Sequence, residues 1–122
     1  MHNIHGILYE APEGYKPLEC YPTACGPGHL GDILIPDNIF GVDLRPSCHI
    51  HDYSWRVAEP TKEDFNQSNL MFLRNMRNAV KHFQKSKNLL GISYMIAESY
   101  YDAVNSFLGW LHFLAIKGVK PM

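Results

Sequence analysis

A helical repeat of apolar residues in the second half of the chain constrains the fold most. After Thr61, large apolar side chains recur at helical intervals, which places them on one face of a helix. They are Phe65, Phe72, Met76, Val80 and Phe83. A second series runs from Leu89 to Leu114. The short connection at residues 86–88 predicts that the two long helices lie antiparallel to each other.

Local signals set the ends of these two predicted helices. Thr61 suits the N-cap of the first helix, because its hydroxyl can accept a hydrogen bond from an otherwise unpaired backbone N–H of the first turn. The second is predicted as one helix that ends at Gly118 and Pro121, with a bend at Gly109.

A shorter helix is predicted between Pro46 and Pro60, ahead of the long helices. Proline suits the first turn of a helix, and the residue before a proline is pushed out of helical geometry. This helix carries His51 and Asp52, whose side chains diverge by roughly 100° because they are adjacent. It can therefore present an imidazole, suited to general-base chemistry, to one pocket and a carboxylate, suited to calcium, to the next.

Residues 1–45 differ in composition, because most of the prolines and glycines of the chain lie there. This predicts turns and irregular backbone, with a short strand at residues 7–9. Residues 25–28, Cys-Gly-Pro-Gly, form a candidate tight loop whose carbonyl oxygens could bind the same cation as Asp52. The chain of 122 residues is predicted to be one mainly α domain, with a loop-rich segment at 1–45 and a helical core at 46–118.

One polar residue, Asn69, lies on the apolar face of the first long helix, between Phe65 and Phe72. A buried amide needs hydrogen-bond partners. His51 is the natural partner if the short helix packs against this face. A bond to backbone or to water is the alternative.

Charge and hydropathy argue against several other classes of protein. The formal net charge is −1, which gives no electrostatic footprint for binding nucleic acid. No apolar run reaches the length of a membrane span, and no signal peptide is visible. We therefore expect a cytoplasmic protein, or one exported by a route that the sequence does not reveal. Three cysteines are too few for a disulfide-stapled miniprotein.

The short helix resembles the signature of the phospholipase A2 family, in which a cysteine precedes a His-Asp pair, as Cys48 precedes His51-Asp52 here. The likeness is to the small bacterial and divergent animal members, and it covers roughly residues 20–110. Further segments are similar to that family in the same order, namely residues 25–28, 40–44, 72–76 and 99–104.

This resemblance implies a short catalytic helix packed on two long antiparallel helices. It also implies calcium-dependent hydrolysis of the sn-2 ester of glycerophospholipids at a membrane or micelle surface. His51 would deprotonate the attacking water, Asn69 would hold the histidine, and Asp52 would bind calcium. The remaining calcium ligands would be the main-chain oxygens of Ala24, Gly26 and Gly28.

Two departures from the family bear on activity. Asn69 stands where the family has an aspartate, so the histidine's partner carries no charge. Trp55 stands where the family has a tyrosine, and we expect it to pack there without replacing the hydrogen bond of the phenol. The alternative function is therefore a weak or inactive module of the same fold that binds lipid or a protein partner. A helical structural protein without a site is a third reading.

The loop and the cysteines leave further alternatives. The segment before the short helix is longer than in compact family members, so Asp32 and Ile33 are alternative calcium ligands. The resemblance also implies a disulfide between Cys25 and Cys48, which would leave Cys20 unpaired.

The aromatic-rich C-terminal end is hydrophobic nearly all round. Trp110 and Phe113 are predicted to contact a lipid aggregate, because tryptophan favours the headgroup level. Core packing or a contact in a homodimer is the alternative. A set of four residues can also be read as zinc ligands, namely His29, His49, His51 and Asp52. His49 and His51 point to different sides of a helix, however, which argues against this reading.

Overall fold

The computed structural model describes residues 1–21 and 37–119. This part of the chain forms four helices and two small antiparallel sheets. Strands β1 to β4 span His2–Ile4, Ile7–Tyr9, Asn38–Ile39 and Val42–Asp43. Helices α1 to α4 span Arg45–Val57, Lys62–Phe83, Lys87–Val104 and Phe107–Ile116. The prediction of a mainly helical protein is confirmed.

The predicted strand at residues 7–9 is confirmed as β2, whereas the other three strands were not predicted. Strand β1 pairs with β2, and β3 pairs with β4. The two-residue turns His5-Gly6 and Phe40-Gly41 join these pairs, and all four turn residues have positive φ. Such turns match the right-handed twist of a hairpin.

The ends of α1 and α2 follow the local signals in the sequence. Pro46 lies in the first turn of α1, and that helix ends three residues before Pro60. The Thr61 hydroxyl caps α2 by accepting a hydrogen bond from the backbone N–H of Asp64 at 3.2 Å. Both predicted boundaries are confirmed.

Helices α2 and α3 lie antiparallel, as predicted. Gln84, directly after α2, contacts Ser93 near the start of α3. Arg77, further back on α2, forms an ion pair with Glu98, further along α3. The earlier residue of α2 therefore contacts the later residue of α3, which is the pattern of antiparallel helices.

The prediction of one continuous helix after residue 88 is wrong, because α3 ends at Val104 and α4 begins at Phe107. The Ser106 hydroxyl caps α4 by accepting a hydrogen bond from the Gly109 N–H at 3.3 Å. A Cβ atom built on Gly109 would lie 1.9 Å from the Val104 carbonyl oxygen. Gly109 therefore permits a close approach of the two helices and does not mark a bend within one.

The apolar side chains form two clusters, with α1 between them. The larger lies among the helices, and its largest fully buried members include Trp55, Phe65, Phe72 and Phe113. The smaller lies under the N-terminal segment and includes Ile50 of α1. No helix in the described residues combines the length and the apolar character needed to span a membrane.

The end of α4 is tied to the end of α1. The Lys117 ammonium donates hydrogen bonds to the backbone carbonyl oxygens of Trp55 at 3.2 Å and Arg56 at 2.7 Å. A cation is favourable at this position, because the last carbonyl groups of a helix carry partial negative charge. The contact holds the turn of α1 that carries Trp55.

Candidate functional site

His51 lies in the tight contact between α1 and α2. Only 3% of its surface is exposed. Its ring stacks on Phe72, with the ring centres 4.4 Å apart, and contacts Trp55 at 4.6 Å. Aromatic side chains from α1 and from α2 therefore fix the plane of the imidazole.

The predicted contact between His51 and Asn69 is confirmed. The His51 Nε2 atom lies 2.7 Å from Asn69 Oδ1, and Asn69 is fully buried. A buried amide without partners would be destabilising, so this bond explains why a polar residue is tolerated on the apolar face of α2. The contact shows where the two side chains meet.

The expectation that Trp55 only packs beside this pair is wrong. Its indole Nε1–H donates a hydrogen bond to Asn69 Oδ1 at 3.1 Å. The expectation considered the loss of a phenol, but an indole carries a donor of its own. Asn69 Oδ1 therefore contacts two nitrogen atoms of α1.

Asn105 is a member of this network that sequence reasoning missed. The Asn69 amide nitrogen donates to Asn105 Oδ1 at 3.0 Å and approaches the Val104 carbonyl oxygen at 3.5 Å. Asn105 lies in the break between α3 and α4, which was predicted to be continuous helix. The signal was the polar pair Asn105-Ser106 within an otherwise apolar series, since both residue types favour helix ends.

Asp52 faces a different neighbour, as its position beside His51 predicts. Its side chain is 20% exposed, and its Oδ2 atom lies 3.2 Å from a guanidinium nitrogen of the exposed Arg56. A partly exposed carboxylate is a hard oxygen ligand that suits calcium, and an ion pair with an exposed arginine is weak enough for a cation to displace. Asp52 thus fits the chemistry of a calcium site.

The other predicted calcium ligands lie outside the described residues. These are Ala24, Gly26 and Gly28, together with the alternatives Asp32 and Ile33. Within residues 1–21 and 37–119, no group of three or more His, Cys, Asp or Glu side chains is placed to hold a metal. Calcium binding therefore stays a prediction.

One partner of the predicted disulfide also lies outside the described residues. Cys25 lies outside the described residues, while Cys48 is buried in the first turns of α1. Cys20 is exposed and has a free thiol. The pairing of Cys25 with Cys48 stays a prediction.

His49 belongs to a separate polar cluster and does not join His51, as their spacing predicts. The Tyr15 hydroxyl lies 2.9 Å from His49 Nδ1 and 2.9 Å from the Tyr21 hydroxyl, to which the Leu18 N–H donates. Burial lowers the pKa of His49, and the nearby Asp52 carboxylate offsets this only in part. His49 therefore ties the N-terminal segment to α1 as a neutral ring.

The prediction that Phe113 contacts lipid is wrong. Phe113 is fully buried against Trp55, and Trp110 is half-buried with the Lys62 ammonium 4.5 Å from its ring centre. In α4 the exposed aromatic residue is instead Phe107, at 73%. A helix that is hydrophobic all round carries no periodic signal for its buried side, so packing alone decides it.

Fold and site together define a mainly helical protein with a buried histidine–asparagine pair and a neighbouring carboxylate. Comparison of the chain with protein-family models, curated proteins and solved structures gave no match. The resemblance to phospholipases A2 therefore rests on the sequence motifs and stays a prediction.

Proposed function

We propose that this protein hydrolyses the sn-2 ester of glycerophospholipids in a calcium-dependent reaction, on a phospholipase A2-like fold. The observation that carries the proposal is the buried pair of His51 and Asn69, 2.7 Å apart, with Asp52 next to the histidine on α1. The packing of α1 on α2, antiparallel to α3, supports the fold that the motif implies.

In this reaction His51 acts as a general base. Its Nε2 atom faces Asn69, so the nitrogen that accepts a proton from water is Nδ1. The water oxygen bonds to the ester carbonyl carbon, the bond from that carbon to the glycerol oxygen breaks, and the imidazolium returns its proton to that oxygen. The products are a fatty acid and a lysophospholipid.

Asp52 would hold calcium together with carbonyl oxygens of the preceding loop. When bound, calcium would supply positive charge to polarise the ester carbonyl and stabilise the developing oxyanion. The exposed side chains of Phe107 (73%) and Met95 (69%) give the helices apolar groups that could enter a lipid surface.

One observation favours a second candidate function on the same fold. Asn69 is neutral, so it cannot stabilise protonated His51 as a carboxylate would. This supports a module that binds phospholipid surfaces in the presence of calcium but hydrolyses them slowly or not at all.

The proposal is tested by fatty-acid release from vesicles of phosphatidylcholine and phosphatidylglycerol, with calcium or with a chelator. We expect calcium-dependent release, reduced about 10²- to 10⁴-fold in His51→Gln because the general base is lost. The matched control is His82→Gln, which removes an exposed histidine far along α2 and should keep full activity.

The outcomes separate the two candidates. Calcium-dependent vesicle binding without release would favour the binding module. Both candidates fail if calcium changes neither fatty-acid release nor vesicle binding, and if it shifts the melting temperature of the wild type no more than that of Asp52→Asn.

A further inference from the structure

The orientation of the Asn69 amide is determined by groups that can play only one role in a hydrogen bond. The Trp55 indole nitrogen can only donate, so the Asn69 atom 3.1 Å from it must be the oxygen. The Val104 backbone carbonyl can only accept, so the Asn69 atom 3.5 Å from it must be the nitrogen. Two independent neighbours, on α1 and at the end of α3, require the same orientation.

This orientation decides which nitrogen of His51 carries hydrogen. Asn69 Oδ1 can only accept, so His51 Nε2, 2.7 Å away, must be the donor. A neutral imidazole has one N–H, and its lone pair then lies on Nδ1.

We propose that Trp55 and Asn105 are positioning residues that hold the Asn69 amide in one orientation and so keep neutral His51 in its Nε2–H tautomer. Asn105 contributes by accepting from the Asn69 amide nitrogen at 3.0 Å. The tautomer itself follows from the hydrogen bonds alone. Its use, with Nδ1 as the base, rests on the proposed function.

The two departures from the phospholipase A2 pattern then compensate each other. A carboxylate presents an acceptor whichever way it is turned, but an amide presents one only from its oxygen. A flipped amide would point its NH₂ group at His51, favour the other tautomer and remove the lone pair from Nδ1. A tyrosine hydroxyl, which can donate or accept, would tolerate either amide orientation, whereas an indole N–H tolerates only the productive one.

The test measures the ¹⁵N chemical shifts of the His51 ring by NMR under conditions in which the imidazole is neutral. We expect the Nε2–H tautomer in the wild type and a mixture of tautomers in Trp55→Phe, which keeps an aromatic ring but loses the donor. Trp110→Phe is the matched control, because Trp110 packs on Phe65 without bonding Asn69, and should leave the tautomer unchanged.

A second pair of variants covers the case in which Trp55→Phe does not fold. Asn105→Ala removes an acceptor for the Asn69 amide and should shift the tautomer ratio toward the mixture. Asn105→Asp keeps an acceptor there and should restore the wild-type ratio. A wild-type ring in the Nδ1–H tautomer, or an unchanged ratio in folded Trp55→Phe or Asn105→Ala, would overturn the proposal.

Kinetics connect the tautomer to catalysis. Trp55→Phe should lower kcat about fivefold at unchanged KM, the factor that one ordinary hydrogen bond contributes. Since the NMR measurement needs no turnover, a protein that shows the expected tautomers but releases no fatty acid would refute the proposed function and leave the positioning network in place. A kcat that stays unchanged while the tautomer mixes would overturn the positioning role.

Discussion

Helix α2 contains two fully buried asparagines, Asn69 and Asn75, and their partners differ in kind. The Asn75 side chain binds the backbone of Glu10 twice, accepting from its N–H and donating to its carbonyl oxygen, both at 2.8 Å. The Asn69 side chain binds mainly other side chains, those of His51, Trp55 and Asn105.

The difference separates a structural amide from a candidate functional one. A backbone peptide has one fixed donor and one fixed acceptor, so Asn75 links the N-terminal segment to α2 and has no protonation state to control. An imidazole can move its hydrogen between two nitrogens, so Asn69 can decide where that hydrogen lies. Residue type and burial are equal at the two sites, and only the partners distinguish them.

The largest effect is expected from Asn75→Asp. A carboxylate cannot donate to the Glu10 carbonyl oxygen, and its charge would be buried. We expect the free energy of unfolding to fall by about 3 kcal/mol in urea denaturation. The control is Asn78→Asp on the same helix, where the bond to the Leu8 carbonyl is more exposed and the loss should stay below about 1 kcal/mol. Equal losses in the two variants would show that Asn75 has no special structural role.

The same substitution at the other site, Asn69→Asp, should increase activity. The carboxylate still accepts from Trp55 and His51, and it adds a charge that stabilises protonated His51. We expect the rate of fatty-acid release to rise on the order of tenfold. Stability should fall as well, because a carboxylate cannot donate to Asn105 or to the Val104 carbonyl oxygen. An unchanged rate in a folded variant would show that Asn69 is not the functional partner of the histidine.

The smallest effect concerns the second attachment of the N-terminal segment, through His49. Because burial lowers the pKa of His49 below its ordinary value of 6.5, the folded protein binds fewer protons than the unfolded chain near that pH. The contribution of the neutral His49 ring to stability is therefore fully present above about pH 6.5. The free energy of unfolding declines as the pH falls below that value. Urea denaturation between pH 5 and 7 should show this decline, and it should be weaker in His49→Gln. A decline of equal size in both proteins would place the titrating group elsewhere.

Local signals were sufficient for α1 and α2, and for β2. Pro46, Pro60 and Thr61 act on their own turns of backbone, so their effects could be read without knowing the rest of the fold. The pairing of His51 with Asn69 could also be predicted, because a polar residue on an apolar helix face needs a partner. The break at Asn105 was not predicted, because the apolar series continues through it.

What the sequence by itself determined is the set of helices up to Phe83, the antiparallel neighbour that follows, and the meeting of His51 with Asn69. Tertiary structure alone decided that Phe113 is buried while Phe107 is exposed, and that Trp55 and Asn105 bind the Asn69 amide. The physical reason is distance along the chain. Capping and periodicity act within a few residues, whereas the orientation of one buried amide depends on donors and acceptors brought together from three helical segments.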